Sequence, residues 1–177
     1  MVGKPASEYN EYRLRVEQRS ERTFDHTLAL YDVILKFLLE SNVIRLISGE
    51  DKLWQETIDF GNIPDAWIQY GGGEAFLEVD RGTEHLPVLR RKFANYIAFK
   101  ESGRYDRLFP GCMFKVLVLT TTEERIGSLE ELTYSNDIWF CTMEEFLRES
   151  LYHEHWFGQS GFYALFPNKQ KEVQELS

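Results

Sequence analysis

Asp65, Glu78 and Asp80 are acids spaced so that a β-hairpin can carry them onto one face, with Lys92 a short way downstream. Carboxylates grouped in this way repel each other. The remedies are a divalent cation, a nearby Arg or Lys, or a raised pKa. Hard carboxylate oxygens suit Mg²⁺ or Mn²⁺, and Mg²⁺ needs only one or two of them plus waters, so Asp65 and Glu78 suffice as metal ligands, with Asp80 as a third. A bound cation beside a lysine is the equipment of phosphodiester chemistry, in which a metal activates water and Lys92 meets charge developing on the phosphate. The plainer reading makes these residues solvated strand-end acids, with Arg81 and Lys92 as ordinary salt-bridge partners.

The elements that must position them follow from local pattern. Trp67, Ile68 and Tyr70 suit a pleated surface, as do Phe76, Leu77 and Val79, and Gly71-Gly72-Gly73 between them supplies a turn. Pro64–Asp80 is thus expected to be an antiparallel hairpin. Phe76, Glu78 and Asp80 should share one face, and Ala75, Leu77 and Val79 the other. Register decides the rest. A two-residue Gly71-Gly72 turn pairs Tyr70 with Gly73, Trp67 with Phe76 and Asp65 with Glu78. A three-residue turn moves Asp65 to the opposite face. After a tight exit at Arg81-Gly82-Thr83-Glu84, Leu86 to Ser102 reads as a helix ended by Gly103, with Leu86, Leu89, Phe93, Tyr96 and Ile97 on its apolar face. Arg91 and Lys92 fall in its first half, close to the end of the acidic strand.

The 177 residues suffice for one domain with a real core, and 43% hydrophobic content marks the chain as globular. Lys and Arg number 20 against 29 Asp and Glu, a net charge of −9, which argues against nonspecific nucleic-acid binding by the whole surface. A local basic patch around Arg81, Arg90, Arg91 and Lys92 remains compatible with DNA. Cys112 and Cys141 have no metal-ligand spacing and read as small hydrophobes in a reducing compartment. No signal peptide is apparent at the start and no stretch approaches the ~20 apolar residues of a membrane span, so a cytoplasmic protein without a membrane partner is expected.

Residues 1–23 read as a polar arm or solvated helix, 24–167 as a single α/β domain and 168–177 as a charged tail. Phe24, Leu28, Tyr31, Leu35 and Leu38 recur at helical spacing, with Leu30, Val33, Ile34, Phe37 and Leu39 widening the apolar surface, which predicts a helix buried on most sides. His26 at its start reads as a hydrogen-bonded histidine rather than a ligand. Val43–Ser48 is a strand. Leu53–Phe60 allows strand or helix, with Glu56 an exposed acid unless this segment runs beside the hairpin. Arg104–Gly111 reads as a loop and Met113–Leu119 as an interior strand. Thr121 and Thr142 each begin a capping box, with helices expected to about Leu132 and Ser150 and the strand Ile138–Cys141 between them. His153 and His155 lack a third ligand and are weak as a metal pair. The aromatics of Trp156–Phe166 should pack on the domain edge. Together these elements predict an α/β fold, a mixed β-sheet with helices on both faces.

That order, α-β-β-β-α-β with one acid at Pro64-Asp65 and a second at Glu78, resembles the PD-(D/E)xK restriction-endonuclease-like core. More specifically, the chain resembles the replication-relaxation family of plasmid and mobile-element proteins. The resemblance rests on His26-Thr27-Leu28-Ala29, Pro64-Asp65-Ala66, the block Phe76 to Glu84, the helix around Lys92 to Tyr96, and Val116–Thr120 followed by Glu124-Arg125. It implies a DNA-metabolism accessory protein on a nuclease-like fold, working with DNA or with a partner protein of a replication or transfer complex. Two departures shape the expectation. Only about two dozen residues precede the first helix, too few for the winged-helix segment that members often carry there. Asp80 occupies the position of the nuclease lysine, so Lys92 would have to reach in as its substitute. The expected outcome is weak Mg²⁺ or Mn²⁺ binding with little turnover. The alternatives are a Mg²⁺-dependent DNA endonuclease using Asp65, Glu78, Asp80 and Lys92, and a protein-binding module without chemistry.

Overall fold

The computed structural model describes residues 24–40, 43–48, 61–70 and 73–165. The readings made for residues 1–23, Leu53–Phe60 with Glu56, and the tail lie outside them. Residues 24–40 form helix α1. Then follow β1 (Val43–Ser48), β2 (Ala66–Tyr70), β3 (Gly73–Asp80), α2 (Leu86–Glu101), α3 (Arg104–Leu108), β4 (Val116–Thr120), α4 (Glu123–Glu130), β5 (Ile138–Thr142), α5 (Met143–Arg148), β6 (Trp156–Gly158) and β7 (Gly161–Tyr163).

These strands make one mixed sheet in the order β1-β2-β3-β4-β5-β6-β7. Its centre, β3-β4-β5, is parallel, and the pairs on either side are antiparallel. Every residue of β4 and β5 is buried, as expected of parallel strands covered on both faces. The two parallel crossovers, through α2–α3 and through α4, step along the sheet in the same direction, and both pack on one face. There Trp67, Phe76, Val116, Val118, Ile138 and Phe140 meet Leu89, Phe93, Tyr96, Phe99, Tyr105 and Leu129. On the other face Ile68, Leu77, Leu117 and Leu119 pack with Val33 and Phe37 of α1 and Phe146 of α5. The sheet is therefore mixed and covered by helices on both sides.

The hairpin register is the one a two-residue turn gives. Tyr70 pairs with Gly73, Trp67 with Phe76 and Ala66 with Leu77. The alternation also falls as expected, with Phe76 on the α2 face and Ala75 and Leu77 on the α1 face. Helix α2 begins after an extended His85 with proline in its first turn, and Gly103 at φ 67° follows its end.

Several details differ from expectation. Arg104–Leu108 is a short helix rather than a loop, with Tyr105 buried in the aromatic core. Clustered charges hid this apolar anchor. Strand β4 starts at Val116 rather than Met113; Met113 is exposed, and the Lys115 ammonium reaches across to the Asn136 carbonyl in the turn before β5. Thr122, not Thr121, caps α4, its hydroxyl accepting from the Arg125 amide at 3.1 Å. The box at Thr142 is as expected, with the hydroxyl accepting from the Glu145 amide at 3.1 Å. These two helices end at Glu130 and Arg148, short of Leu132 and Ser150. On α2, Phe99 joins Leu89, Phe93 and Tyr96 in the core, while Ile97 is only partly buried. The largest difference is on α1. Val33, Ile34 and Phe37 are buried, whereas Phe24, Leu28, Tyr31, Leu35 and Leu38 are exposed.

Candidate functional site: a charge-compensated acidic cleft

The cleft opens at the carboxyl ends of β3 and β4, where ligands bind in open α/β sheets. Asp65, Glu78, Asp80, Arg81 and Lys92 line it together with Asp25, His26, Thr83 and Glu84, around a cavity of about 520 Å³. The structure thus gathers all three expected acids, Arg81 and Lys92 in one place. Arg90 lines a different depression, beside Lys100 and Tyr134, and Arg91 is exposed on α2. The four basic residues considered for DNA contact are therefore split between surfaces.

Asp65 is fixed by the hairpin. Its amide donates at 3.0 Å to the carbonyl of Leu77, the residue that already pairs with Ala66, so Asp65 sits beside Leu77 just outside β2 and is not paired with Glu78, the partner that the two-residue-turn register implies. Its carboxylate accepts from the Val79 amide at 2.7 Å and lies 3.2 Å from His26 Nε2. Hydrogen bonding to Asp65 raises the His26 pKa above its ordinary value despite partial burial. This histidine, at the start of α1, is a cleft residue that sequence reasoning set aside. Its partner is 39 positions away, and no local spacing could announce it.

Glu78 is the buried centre. One carboxylate oxygen accepts from the Lys92 ammonium and the other from the Tyr96 hydroxyl. Burial pushes the Glu78 carboxyl up to about 8, against the pull of Lys92. Burial works against the Lys92 ammonium, but the neighbouring Glu78 carboxylate outweighs it and holds that pKa above its ordinary value. Burial likewise keeps the Tyr96 hydroxyl protonated, ready to donate. Lys92 and Tyr96 are one helical turn apart on α2, so both reach the same strand residue. That spacing was visible in the sequence, although Tyr96 reads there only as core.

Asp80 is held by a separate cation. Arg125 Nε donates to Oδ2 at 2.8 Å and its Nη2 to Oδ1 at 3.4 Å. The Gly82 amide at 3.0 Å and the Thr120 hydroxyl at 3.3 Å complete the set. Arg125 Nη2 also donates to the Glu84 carbonyl at 2.7 Å, tying the loop after β3 to α4. At the mouth of the cleft, Arg81 pairs with Asp25 at 3.0 Å.

The donor set as folded does not fit a divalent cation. Each oxygen of Asp65, Glu78 and Asp80 already has a partner, and a metal would have to displace the Lys92 ammonium or the Arg125 guanidinium. Among the described residues, no group of three or more His, Cys, Asp or Glu is arranged to hold a metal ion. Both cysteines are free; Cys141 is buried and Cys112 partly so.

Glu78 gives the cleft a pH signature. The unfolded carboxyl titrates near 4.5 and the folded one near 8. The stability linked to its proton is therefore complete below pH 4.5 and is lost as pH rises through about 8. Urea unfolding at pH 6 and at pH 9 should register a wild-type loss of ~2–3 kcal/mol that Glu78→Gln removes. An equal loss in both proteins would mean that Glu78 is not the titrating group.

The fold and cleft define a mixed α/β protein whose acidic site, at the carboxyl edge of a parallel sheet, is neutralised by its own side chains. A model of the replication-relaxation family matches residues 4–111, and the chain belongs to that family, which supports a role in DNA metabolism. The matched span begins earlier than the resemblance read from the sequence and ends before β4. It includes His26, Asp65, Glu78, Asp80 and Lys92 but not Arg125. No curated protein and no solved structure matches the chain. Among the described residues no helix is long and apolar enough to cross a membrane.

Proposed function

We propose that this protein is a DNA-metabolism accessory factor of a plasmid or other mobile element, built on a nuclease-like scaffold and acting without strong catalysis of its own. The observation that carries this reading is the one-to-one pairing of the cleft acids with basic side chains. His26 meets Asp65, Lys92 meets Glu78, and Arg125 meets Asp80. Carboxylates that must serve as metal ligands are better left open, whereas here each is committed to holding two elements together. Arg81, at the mouth and paired there with the exposed Asp25, is suited to exchange that partner for a phosphate of a DNA backbone. A surface of net charge −9 fits a local contact of that kind better than a broad one.

A second reading, a Mg²⁺-dependent DNA endonuclease, is favoured by one observation. Asp65, Glu78 and Lys92 line the same cleft, with the lysine supplied by α2 in place of the strand. One experiment separates the two. The full chain is incubated with supercoiled, linear and branched DNA in Mg²⁺ and in Mn²⁺, and both band shifts and strand breaks are scored. Retarded DNA without breaks, weakened by Arg81→Ala, is the expected result. Cleavage that disappears in Glu78→Gln and in Lys92→Ala would establish the endonuclease instead. Neither retardation nor cleavage would leave the protein-binding alternative.

A further inference from the structure

Helix α1 carries two apolar faces. Val33, Ile34 and Phe37 point into the protein, with Phe37 against Phe146 at a ring separation of 5.2 Å. Opposite them run Phe24, Leu28, Tyr31, Leu35 and Leu38, at alternating intervals of four and three residues. Spacing of this kind keeps the side chains in one narrow stripe along the helix, the geometry that can lie along a second helix. With Leu39 the stripe makes six large apolar side chains, each between 47% and 82% exposed. On the neighbouring α5, Leu147 is 41% exposed, and its carbonyl accepts from Lys36 of α1 at 3.2 Å. A continuous apolar surface of this kind marks an interaction site rather than scattered exposure.

We infer that this stripe is a self-association surface, on which α1 of one copy packs against α1 of a second copy. Three features of the helix select that occupant. The narrow stripe matches the width of another helix. The area fits: the six side chains offer on the order of 600 Å² per copy, so a pair buries roughly 1,200 Å², the lower bound of stable interfaces. The rim is acidic, not basic. Asp25, Asp32 and Glu40 are its acids, where a membrane-lying helix would carry Lys and Arg. Like-charge repulsion between copies is limited, because Asp25 is neutralised by Arg81 at 3.0 Å and Glu40 by Lys36 at 2.6 Å. Tyr31, at the middle of the stripe, meets its own counterpart whichever way the paired helices run. The inference is independent of the acidic cleft. It does have a consequence for it, since His26 and Asp25 lie on the same helix, and two clefts would be joined through one seam.

Sedimentation velocity of the full chain, from low to high micromolar concentration, tests it. The expected result is a reversible dimer, weakened at least ~100-fold by the pair Leu28→Glu and Leu35→Glu, with the melting temperature extrapolated to low concentration unchanged. A second measurement does not depend on charge insertion. Tyr31→Cys in a Cys112→Ser background should form a disulfide-linked dimer on mild oxidation. A monomer at every concentration would overturn the inference, and so would a dimer indifferent to both changes. A wild-type monomer whose melting temperature falls sharply in the Leu28→Glu, Leu35→Glu variant would also overturn it, by revealing that another part of the same chain covers the stripe.

Discussion

Arg125→Ala is expected to destabilise the protein by ~3–5 kcal/mol, the usual cost of stranding one member of a buried pair. The Asp80 side chain is 2% exposed, and without Arg125 its charge keeps only the Gly82 amide and the Thr120 hydroxyl as partners. The lost guanidinium also frees the Glu84 carbonyl, so the loop between β3 and α2 loses its tie to α4. Much of the cost comes from the orphaned charge rather than from the bond itself. Asp80→Asn combined with Arg125→Met should therefore recover much of the loss. Chemical denaturation of the two single variants and the double variant gives the coupling directly. A loss below ~1 kcal/mol for Arg125→Ala would show that the pair is screened like one on the surface.

The second large effect is expected at Phe76. Its ring is 1% exposed and lies among Tyr96 at 5.4 Å, Phe114 at 5.8 Å, Phe99 at 6.1 Å and Tyr105 at 6.3 Å. Phe76→Ala should cost ~3–5 kcal/mol, the transfer energy of the ring plus the cavity it leaves. Thermal or urea unfolding measures the loss. The cleft should be affected as well, because Phe76 is two residues from Glu78 on the same strand face and packs on the tyrosine that donates to Glu78. Phe76→Leu keeps much of the volume and should lose less than half as much. Equal losses for Leu and Ala would mean that aromatic geometry, not volume, governs the site.

The parts of this structure legible from sequence are those specified by neighbours in the chain. The Gly-Gly-Gly turn and the alternation of β3 were enough to place the hairpin and to put Phe76, Glu78 and Asp80 on one face, but they left the register open between a two-residue and a three-residue turn. The apolar runs announced β4 and β5, and Thr142 announced its helix. The parts that were not legible depend on distant partners. Helical spacing said that α1 had apolar residues all round, but which face meets the sheet depends on the sheet. The stripe from Phe24 to Leu38, the more regular of the two, is the one left outside. Arg104–Leu108 looked like a charged loop because one buried residue, Tyr105, decides its fate. In the cleft, the acids and Lys92 could be nominated from spacing. Their compensation by His26 and Arg125 could not, since those pairings span 39 and 45 positions.

The strand order has a consequence for how the molecule is made. Sheet order and chain order are identical, β1 through β7, so every strand after the first pairs with the one made just before it. Assembly on the ribosome can therefore proceed vectorially, each new strand docking on the growing edge. The slow step falls at the junction of β3 and β4, where residues 81–115 must close a long loop before the first parallel pair forms. Until β4 arrives, the edge of β3 stands open with Glu78 and Asp80 near its end, and charged residues at an edge are a common guard against pairing with the wrong chain. The acids that Lys92 and Arg125 later neutralise would thus protect the nascent sheet before they furnish the finished cleft.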